Sequence, residues 1–284
     1  MPDIAYHLPA DVAGFKHAKF NRTQNETLSK VYRRAYYAAI AYTDYNIGMV
    51  LDTLDTLALK DSTAVLLFGD HGWQLGEHNI WAKMTNFELA VRVPMILRAP
   101  WIAAARGQVS NALVEAVDWY PTLAELAGLP DPKLLGEKLN GTSLVPILRD
   151  PLGTSIKKAA FSQFAKESRH HPFDINCHFD KHKTEVMGYS VRVNDWRYTA
   201  WFGVPKGQLL PNTSDIIATE LYSHEGDDGD LDFPGENVNV VHNASHSMMV
   251  HELHTMVLNY IQVWPSKGPN YPPPLEATPD LFFT

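Results

Sequence analysis

Three patterns in the sequence predict an α/β fold: a partial parallel sheet flanked by helices, with a smaller carboxyl-terminal α+β lobe that contains an antiparallel sheet. A long stretch with helical periodicity comes first. Two short, continuous apolar runs follow it, of the kind found in strands that are buried on both faces. After Pro151, short strand candidates alternate with polar stretches, which is typical of a small antiparallel lobe.

The first pattern predicts a helix that begins at Leu28. Apolar residues recur at steps of three and four from Val31 to Leu57, which is the period of a helix with one buried face. Two buried strands, residues 63–68 and 93–97, follow this helix. Helix, strand, loop and strand in this order are expected in a parallel α/β core.

A second helix, residues 114–127, closes the predicted core, because Gly128 can serve as its C-cap. Residues 1–150 are therefore predicted to be part of an α/β core. Residues 151–264 are predicted to form the smaller lobe, which ends in a helix. The proline-rich residues 265–284 are predicted to be an extended tail.

Composition limits the function classes. The chain has 284 residues and a formal net charge of -8, which argues against a general nucleic-acid-binding protein. No apolar run approaches the ~18 to 20 residues that span a bilayer. The single Cys177 allows no intrachain disulfide. N-glycosylation sequons, which indicate a secretory route to the lysosome or the exterior, occur at Asn21, Asn25, Asn140, Asn212 and Asn243. Because the sequence has no signal peptide, we expect the true amino terminus to lie upstream.

The stretch "LLFGDHGWQLGEH" places Asp70 and His71 directly after the first predicted strand. Ligands of open α/β sheets bind just past the carboxyl ends of the strands. A carboxylate and an imidazole there could hold a divalent cation, which stabilises negative charge on a phosphoryl or sulfuryl oxygen. Lys83 could add a second positive group to the same anion. The alternative is a strand terminus with a merely structural, hydrogen-bonded pair.

The longer stretch "GDHGWQLGEHNIWAKMTNFELAVRVPMI" resembles a signature region of the sulfatases, in the alkaline phosphatase superfamily, and is closest to the iduronate-2-sulfatase branch. Other segments resemble the same family in the same order: "RRAYYAAIAYTDYNIGMVLDTLDTL", "LVEAVDWYPTLAELAGLP", "LNGTSLVPIL", "VMGYSVRVNDWRYTAWF" and "ATELYSHEGDD". The resemblance implies an alkaline-phosphatase-like fold, of which this chain is similar to the carboxyl-terminal portion.

The resemblance also implies roles for particular residues. Asp70 and His71 would ligate one calcium ion, although imidazole is a more usual ligand for zinc than for calcium. Lys83 would contact the sulfate as a catalytic and substrate-binding residue. The pocket wall would include the side chains of Trp73 and His78. Arg192, on a strand of the smaller lobe, would contact a carboxylate of the substrate.

Sulfatases attack the ester with a formylglycine hydrate, which is made from the cysteine of Cys-x-Pro-x-Arg. Cys177 lies in "NCHFDK", which has neither the proline nor the arginine, so no nucleophile is expected within these residues. We expect the formylglycine on a missing amino-terminal segment. The isolated chain is therefore predicted to be catalytically incomplete.

The resemblance implies a hydrolase that acts on sulfated glycosaminoglycan sugars. Two alternatives stay open: a phospho- or phosphonate-ester hydrolase of the same superfamily, and a non-catalytic truncated remnant. The histidines around Cys177 (His170, His171, His178 and His182) lack the paired spacing of structural zinc sites and predict a loop at the rim of the site.

Overall fold

The structure is a computed structural model that describes residues 1–6, 25–137, 139–169, 182–227 and 235–266. It consists of a four-stranded antiparallel sheet, two small strand pairs and five α-helices among the described residues. In chain order these are α1 (Glu26–Thr56), β1 (Val65–Phe68), β2 (Gln74–Leu75), β3 (Trp81–Ala82), α2 (Glu88–Val91), β4 (Met95–Arg98), α3 (Trp119–Leu126), α4 (Val145–Arg149), β5 (Ala160–Lys166), β6 (Val186–Val193), β7 (Trp196–Gly203), β8 (Asn212–Ser223) and α5 (Ser247–Ser266). None of the described helices has the length and apolar character needed to cross a bilayer.

The carboxyl-terminal sheet confirms the predicted antiparallel lobe. Its strand order is β5-β6-β7-β8, and every neighbouring pair runs antiparallel. Helix α5 packs against the sheet through Leu253, Val257 and Ile261, which recur every four residues and therefore lie on one helical face. This face and the inward side chains of the strands form the larger apolar core.

A second apolar core joins the two parts of the chain. Tyr6, Ile80 and Phe87 pack against Trp201 and Tyr222 of the carboxyl-terminal sheet. Gly188 lies beneath Trp201, since a Cβ there would come within 2.6 Å of the indole. The loop that carries the predicted site residues is thus fastened to the sheet by buried side chains.

The two strands of the predicted parallel core pair antiparallel instead, with Leu66 opposite Leu97 and Phe68 opposite Met95. A parallel pair needs a crossover connection, which is usually a helix. The chain between β1 and β4 contains only the β2–β3 hairpin and the four-residue α2, so it reverses direction. The expectation of burial on both faces is also wrong here, because Phe68 and Ile96 are 44% and 64% exposed.

Helix α1 confirms the predicted helix but not its predicted buried face. The Asn25 side chain caps it by accepting a hydrogen bond from the Leu28 amide. Over its whole length no residue is buried, and residues 37–46 are all exposed. The predicted helix 114–127 is shorter than expected: a 3-10 turn, Ala116–Asp118, leads into α3.

Candidate metal and anion site

The loop after β1 is held in place by two glycines. The Gly69 amide donates a hydrogen bond to the Pro94 carbonyl at 3.0 Å, and the Gly72 amide donates to the Ala90 carbonyl at 2.8 Å. A Cβ on Gly72 would lie 2.0 Å from the Leu89 carbonyl oxygen, so any larger residue would push the loop off α2. The two glycines thus fix where the intervening Asp70 and His71 side chains begin.

The His71 ring has a defined tautomer. Its Nδ1 lies 2.9 Å from the Gly72 carbonyl oxygen, which can only accept, so Nδ1 carries a proton. In the neutral ring Nε2 is then the acceptor, and the Lys83 ammonium donates to it at 3.0 Å. The Asp70 carboxylate lies 3.6 Å from the same Nε2. The structure therefore brings together the three residues that the sequence singled out.

An aromatic wall stands beside these groups. The Trp73 ring lies 6.2 Å from the His71 ring, and the Lys83 ammonium lies 5.9 Å from the centre of the Trp73 ring. On its other side Trp73 stacks against Tyr36 of α1 at 6.3 Å. Burial raises the pKa of the Tyr36 hydroxyl, which therefore stays protonated. Trp73 thus lies beside His71 and Lys83, and its role as a pocket-wall residue stays a prediction.

Helix α1 holds the hairpin that carries Lys83. The Arg33 guanidinium donates to the Leu75 carbonyl at 3.0 Å, and the ring of Tyr32 meets the ring of Trp81 edge-on at 5.5 Å. Ala82 has φ +72, in the left-handed region that non-glycine residues rarely adopt. Packing from α1 and the sheet therefore maintains a backbone that the local sequence alone would not favour.

His78 contacts other parts of the chain than Asp70 and His71 do. Its ring stacks on Phe87 at 4.6 Å, and its Nε2 lies 3.2 Å from the Gly235 carbonyl. Its buried Nδ1 has no hydrogen-bond partner among the described residues. In the described part of the chain no hydrogen bond or ring contact joins His78 to Asp70 or His71. His78 thus ties the loop to the carboxyl-terminal lobe.

Arg192 belongs to a buried ion-pair network. Its guanidinium lies 3.3 Å from Glu88 and 3.6 Å from Asp227, and burial lowers its pKa. The Arg197 guanidinium pairs with Glu88 and, at 2.5 Å, with Glu236. The positive charge of Arg192 is therefore already matched by protein carboxylates in this conformation. Its contact with a carboxylate of the substrate stays a prediction.

The same network includes the one described group with the spacing of a metal site, Glu88, His224 and Asp227. His224 places Nδ1 3.0 Å from Asp227 and Nε2 3.2 Å from Glu236, so both ring nitrogens face carboxylates. Burial raises the pKa of the Glu236 carboxyl, but the Arg197 guanidinium and His224 outweigh this and lower it overall. Arg192 and Arg197 already pair with these carboxylates, so we interpret this cluster as ion pairs.

Asp70 and His71, which follow β1, have the chemistry of two ligands of a divalent cation. The Nδ1–carbonyl bond orients the ring, as outer-shell partners of metal-binding histidines do. A carboxylate and an imidazole are two ligands, fewer than calcium or zinc requires. The Asp70 side chain is 83% exposed, and two cavities of about 550 and 250 Å³ are lined by residues elsewhere. Asp70 therefore lies at an exposed surface and outside these two cavities.

The described sequon asparagines are all exposed: Asn25, Asn140, Asn212 and Asn243. Asn21 and Cys177 lie outside the described residues, as do His170, His171 and His178. Sequence reasoning missed Tyr36, Arg33 and the network around Glu88. These three residues contact partners that lie 37 to 148 positions away in the sequence. No local spacing in the sequence indicates such pairs.

Comparisons with known proteins place this geometry in a family. The Sulfatase family model matches residues 5–129, and the model described as N-sulphoglucosamine sulphohydrolase, C-terminal, matches residues 76–201. Iduronate 2-sulfatase of Mus musculus is 34% identical over 272 residues. The match covers 80% of this chain and 47% of the relative. The chain therefore spans about half the length of this relative.

Solved structures agree on the fold. A protein solved in complex with its substrate D-glucosamine-2-N,6-O-disulfate has a TM-score of 0.65 at 23% identity, over 88% of this chain and 45% of that one. A phosphonate monoester hydrolase from Silicibacter pomeroyi has a TM-score of 0.57 at 23% identity, over 78% of this chain and 38% of that one. These likenesses confirm the predicted fold class.

Proposed function

Because the chain belongs to the sulfatase family, we propose that it supplies one side of the active site of a sulfuric ester hydrolase. Asp70 and His71 would hold one divalent cation, proposed to be calcium, and Lys83 would contact the sulfate. The observation that carries this proposal is the meeting of all three groups at His71 Nε2. When bound, the ion would withdraw electron density from the sulfate oxygens.

The roles of the chain's own groups follow from their geometry. With Nδ1 protonated on the Gly72 carbonyl, His71 directs the Nε2 lone pair toward the open side. A divalent cation bound at His71 Nε2 would displace the Lys83 ammonium from this nitrogen. The ammonium would then be free to pair with the sulfate. Trp73 limits how far the ammonium can move, because the ring and the charge attract each other.

The substrate class proposed is a sulfated glycosaminoglycan sugar. It is supported by the iduronate 2-sulfatase relative and by the structural neighbour bound to a sulfated glucosamine. Trp73 offers an apolar ring face to a sugar. His78 and Arg192 remain candidates for indirect roles, because each is engaged with protein groups. A lysosomal or secreted location is part of the proposal, supported by the exposed sequon asparagines.

The attacking group is proposed to be a formylglycine on polypeptide outside these 284 residues, which contain no Cys-x-Pro-x-Arg motif. We therefore expect the isolated chain to show no turnover of a 2-O-sulfated uronate disaccharide. Turnover by the purified chain would contradict the division of the active site proposed here.

Calorimetric titration of the isolated chain tests the cation site. Two ligands should give weak calcium binding, with a millimolar dissociation constant or none detectable. Asp70→Asn should abolish whatever binding is seen, whereas Asp61→Asn, at an exposed position, should not. Tight binding that survives Asp70→Asn would place the ion elsewhere and overturn the assignment.

Two other functions keep support. Phosphonate ester hydrolysis is favoured by the neighbour from Silicibacter pomeroyi and by the Asp-His pair itself, since imidazole suits zinc. Assay of the completed protein with matched sulfate and phosphonate esters separates the two enzyme classes. A non-catalytic remnant predicts that neither ester is hydrolysed under any complementation.

A further inference from the structure

Glu236 is a buried acid in a backbone conformation that glutamate rarely adopts. Its side chain is 2% exposed, and its φ of +65 lies in the left-handed region. A residue in that region keeps its conformation only because surrounding contacts maintain it, and such residues concentrate at functional sites. The contacts of Glu236 therefore indicate what this conformation is used for.

The two carboxylate oxygens of Glu236 face different parts of the molecule. Oε1 accepts from the Arg197 guanidinium at 2.5 Å and lies 3.2 Å from His224 Nε2. Oε2 accepts from the Glu88 backbone amide at 2.6 Å, across 148 positions of sequence. Glu88 is the first residue of α2, and Phe87 before it provides no side-chain cap. Glu236 thus supplies an acceptor for this amide from the carboxyl-terminal lobe.

Helix α2 in turn fixes the loop that carries the candidate metal ligands. The Gly72 amide donates to the Ala90 carbonyl of α2 at 2.8 Å, and the Gly72 carbonyl accepts from His71 Nδ1 at 2.9 Å. The loop and the helix are in close contact here, because a Cβ on Gly72 would come within 2.0 Å of the Leu89 carbonyl oxygen. A displacement of α2 would therefore move the acceptor that holds the His71 ring.

The residue before Glu236 makes a second contact with the same segment. The Gly235 carbonyl accepts from His78 Nε2 at 3.2 Å, and the His78 ring stacks on Phe87 at 4.6 Å, directly before α2. Residues 235–236 thus contact the first amide of α2 and the ring that packs against the residue before it. Two contacts at neighbouring points fix the orientation of this four-residue helix as well as its position.

We propose that Glu236 is a positioning residue: its carboxylate holds α2, and through α2 and Gly72 it sets the orientation of the His71 ring. This inference rests on the proposed function, in which His71 is a ligand of the cation. The length of the side chain is decisive in this role, because Oε2 has to reach the Glu88 amide. If Glu236 served only as the counter-charge of Arg197, its charge would be decisive instead.

Two substitutions in the same network separate the two roles. Glu236→Asp keeps the negative charge beside Arg197, and aspartate adopts positive φ more readily than glutamate. Its side chain is one methylene shorter, so its oxygen withdraws from the Glu88 amide. Glu88→Gln does the reverse: it removes a negative charge that pairs with Arg192 and Arg197 but leaves the Glu88 amide bound to Glu236.

The tautomer of the His71 ring and the exchange of the Gly72 amide are measured by NMR on the 284-residue chain without metal. At about pH 8 an ordinary histidine ring is neutral, so each ring carries one proton. In the wild type this proton should lie on His71 Nδ1, and His71→Gln assigns the signal. Glu236→Asp should populate the Nε2-protonated form and speed Gly72 exchange about tenfold, the effect of one lost hydrogen bond. Glu88→Gln should leave both as in the wild type.

Glu185→Asp is the matched control, because it shortens a carboxylate that accepts from another backbone amide, that of Arg169. It should change neither the His71 tautomer nor the Gly72 exchange. Exchange of the Val191 amide in β6 reports on the fold as a whole. Equal acceleration at Gly72 and Val191 in Glu236→Asp, or failure of that variant to fold, would show a general structural role and overturn the proposal. A change of tautomer in Glu88→Gln as large as in Glu236→Asp would do the same.

Calcium titration keeps this inference separate from the proposed function. The proposed function fails if Asp70→Asn leaves calcium binding unchanged, whatever the state of the His71 ring. The positioning role fails if Glu236→Asp leaves the His71 tautomer and the Gly72 exchange as in the wild type, whatever the chain binds.

Discussion

Two helices of this chain carry similar apolar side chains and bury them to opposite extents. In α5, Leu253, Val257 and Ile261 are at most 4% exposed against the antiparallel sheet. In α1, Ile40 and Tyr45 are more than half exposed. The carboxyl-terminal lobe thus satisfies its apolar surface within the chain, and the α1 region does not.

The difference lies in the packing partners that each helix has within the chain rather than in the hydrophobicity of the two helices. The four-stranded sheet has its neighbours in sequence order, so hairpin connections bring every partner strand into register. In the described part of the chain, α1 packs against the β2–β3 hairpin through Tyr32 and Arg33. The burial of apolar side chains in this chain therefore depends on whether a packing partner is available. Hydrophobicity alone does not bury them.

The largest effect is expected where the two regions are joined. Arg197 of β7 pairs with Glu88 of the site segment and with Glu236, and all three side chains are buried or nearly so. Arg197→Met would leave two carboxylates without their main partner, which typically lowers the free energy of unfolding by about 3 to 5 kcal/mol. Urea unfolding measures this loss.

Arg169→Met is the matched control for Arg197→Met. Arg169 pairs with Asp215, which lies on β8 of the sheet that also contains Arg197. Both side chains of this pair are more than a third exposed. Water and salt screen such a pair, so its removal should leave the urea midpoint within error of the wild type. Equal losses for the two variants would show that the buried network does not hold the regions together.

A smaller effect should separate the two helices. Ile261→Ala creates a cavity against the sheet and should lower the free energy of unfolding by about 3 kcal/mol. Ile40→Ala makes the same chemical change in α1 and should alter it by no more than about 0.5 kcal/mol, because little packing is lost and alanine favours helix. A large loss for Ile40→Ala would mean that α1 is already packed within the chain.

The sequence predicted the elements better than their partners. Helix α1 follows from periodicity, and the strands at 65–68 and 95–98 follow from continuous apolar runs. The antiparallel sheet follows from short strand candidates that alternate with polar stretches. All three patterns record local conformation. The direction of the β1–β4 pairing was predicted wrongly. Strand direction depends on the path of the connecting chain, and neither residue periodicity nor the apolar runs contain that path.

The candidate site shows the same division. Asp70, His71, Lys83 and Trp73 were found because they lie within one short stretch, and the structure places the other three side chains around the His71 ring. Their catalytic roles remain predictions. The ion-pair partners of Arg192 could not be predicted, because Glu88 is 104 positions away and no pattern links the two.

The last prediction concerns the interior of the carboxyl-terminal sheet and sharpens the contrast through pH. Glu220 is buried, and its carboxylate accepts hydrogen bonds from the Trp201 indole at 2.6 Å and the Tyr222 hydroxyl at 2.5 Å. Burial raises the pKa of this carboxyl from 4.5 to about 7, even though both hydrogen bonds act to lower it. Helix α1 has no comparable buried acid, because none of its residues is buried.

The sign of the pH effect follows from the raised pKa of Glu220. The folded state holds its proton more tightly than the unfolded chain, so this stabilisation is complete below about 4.5 and is lost as the pH rises through about 7. The slope between these values is about 1.4 kcal/mol per pH unit. Glu220→Gln should remove this slope, because an amide does not titrate. The amide oxygen can still accept the hydrogen bond from the Trp201 indole. Glu225→Gln, at an exposed position, should keep it. Free energies of unfolding are measured from pH 5 to 8. Identical profiles for wild type and Glu220→Gln would show that Glu220 titrates as an exposed acid.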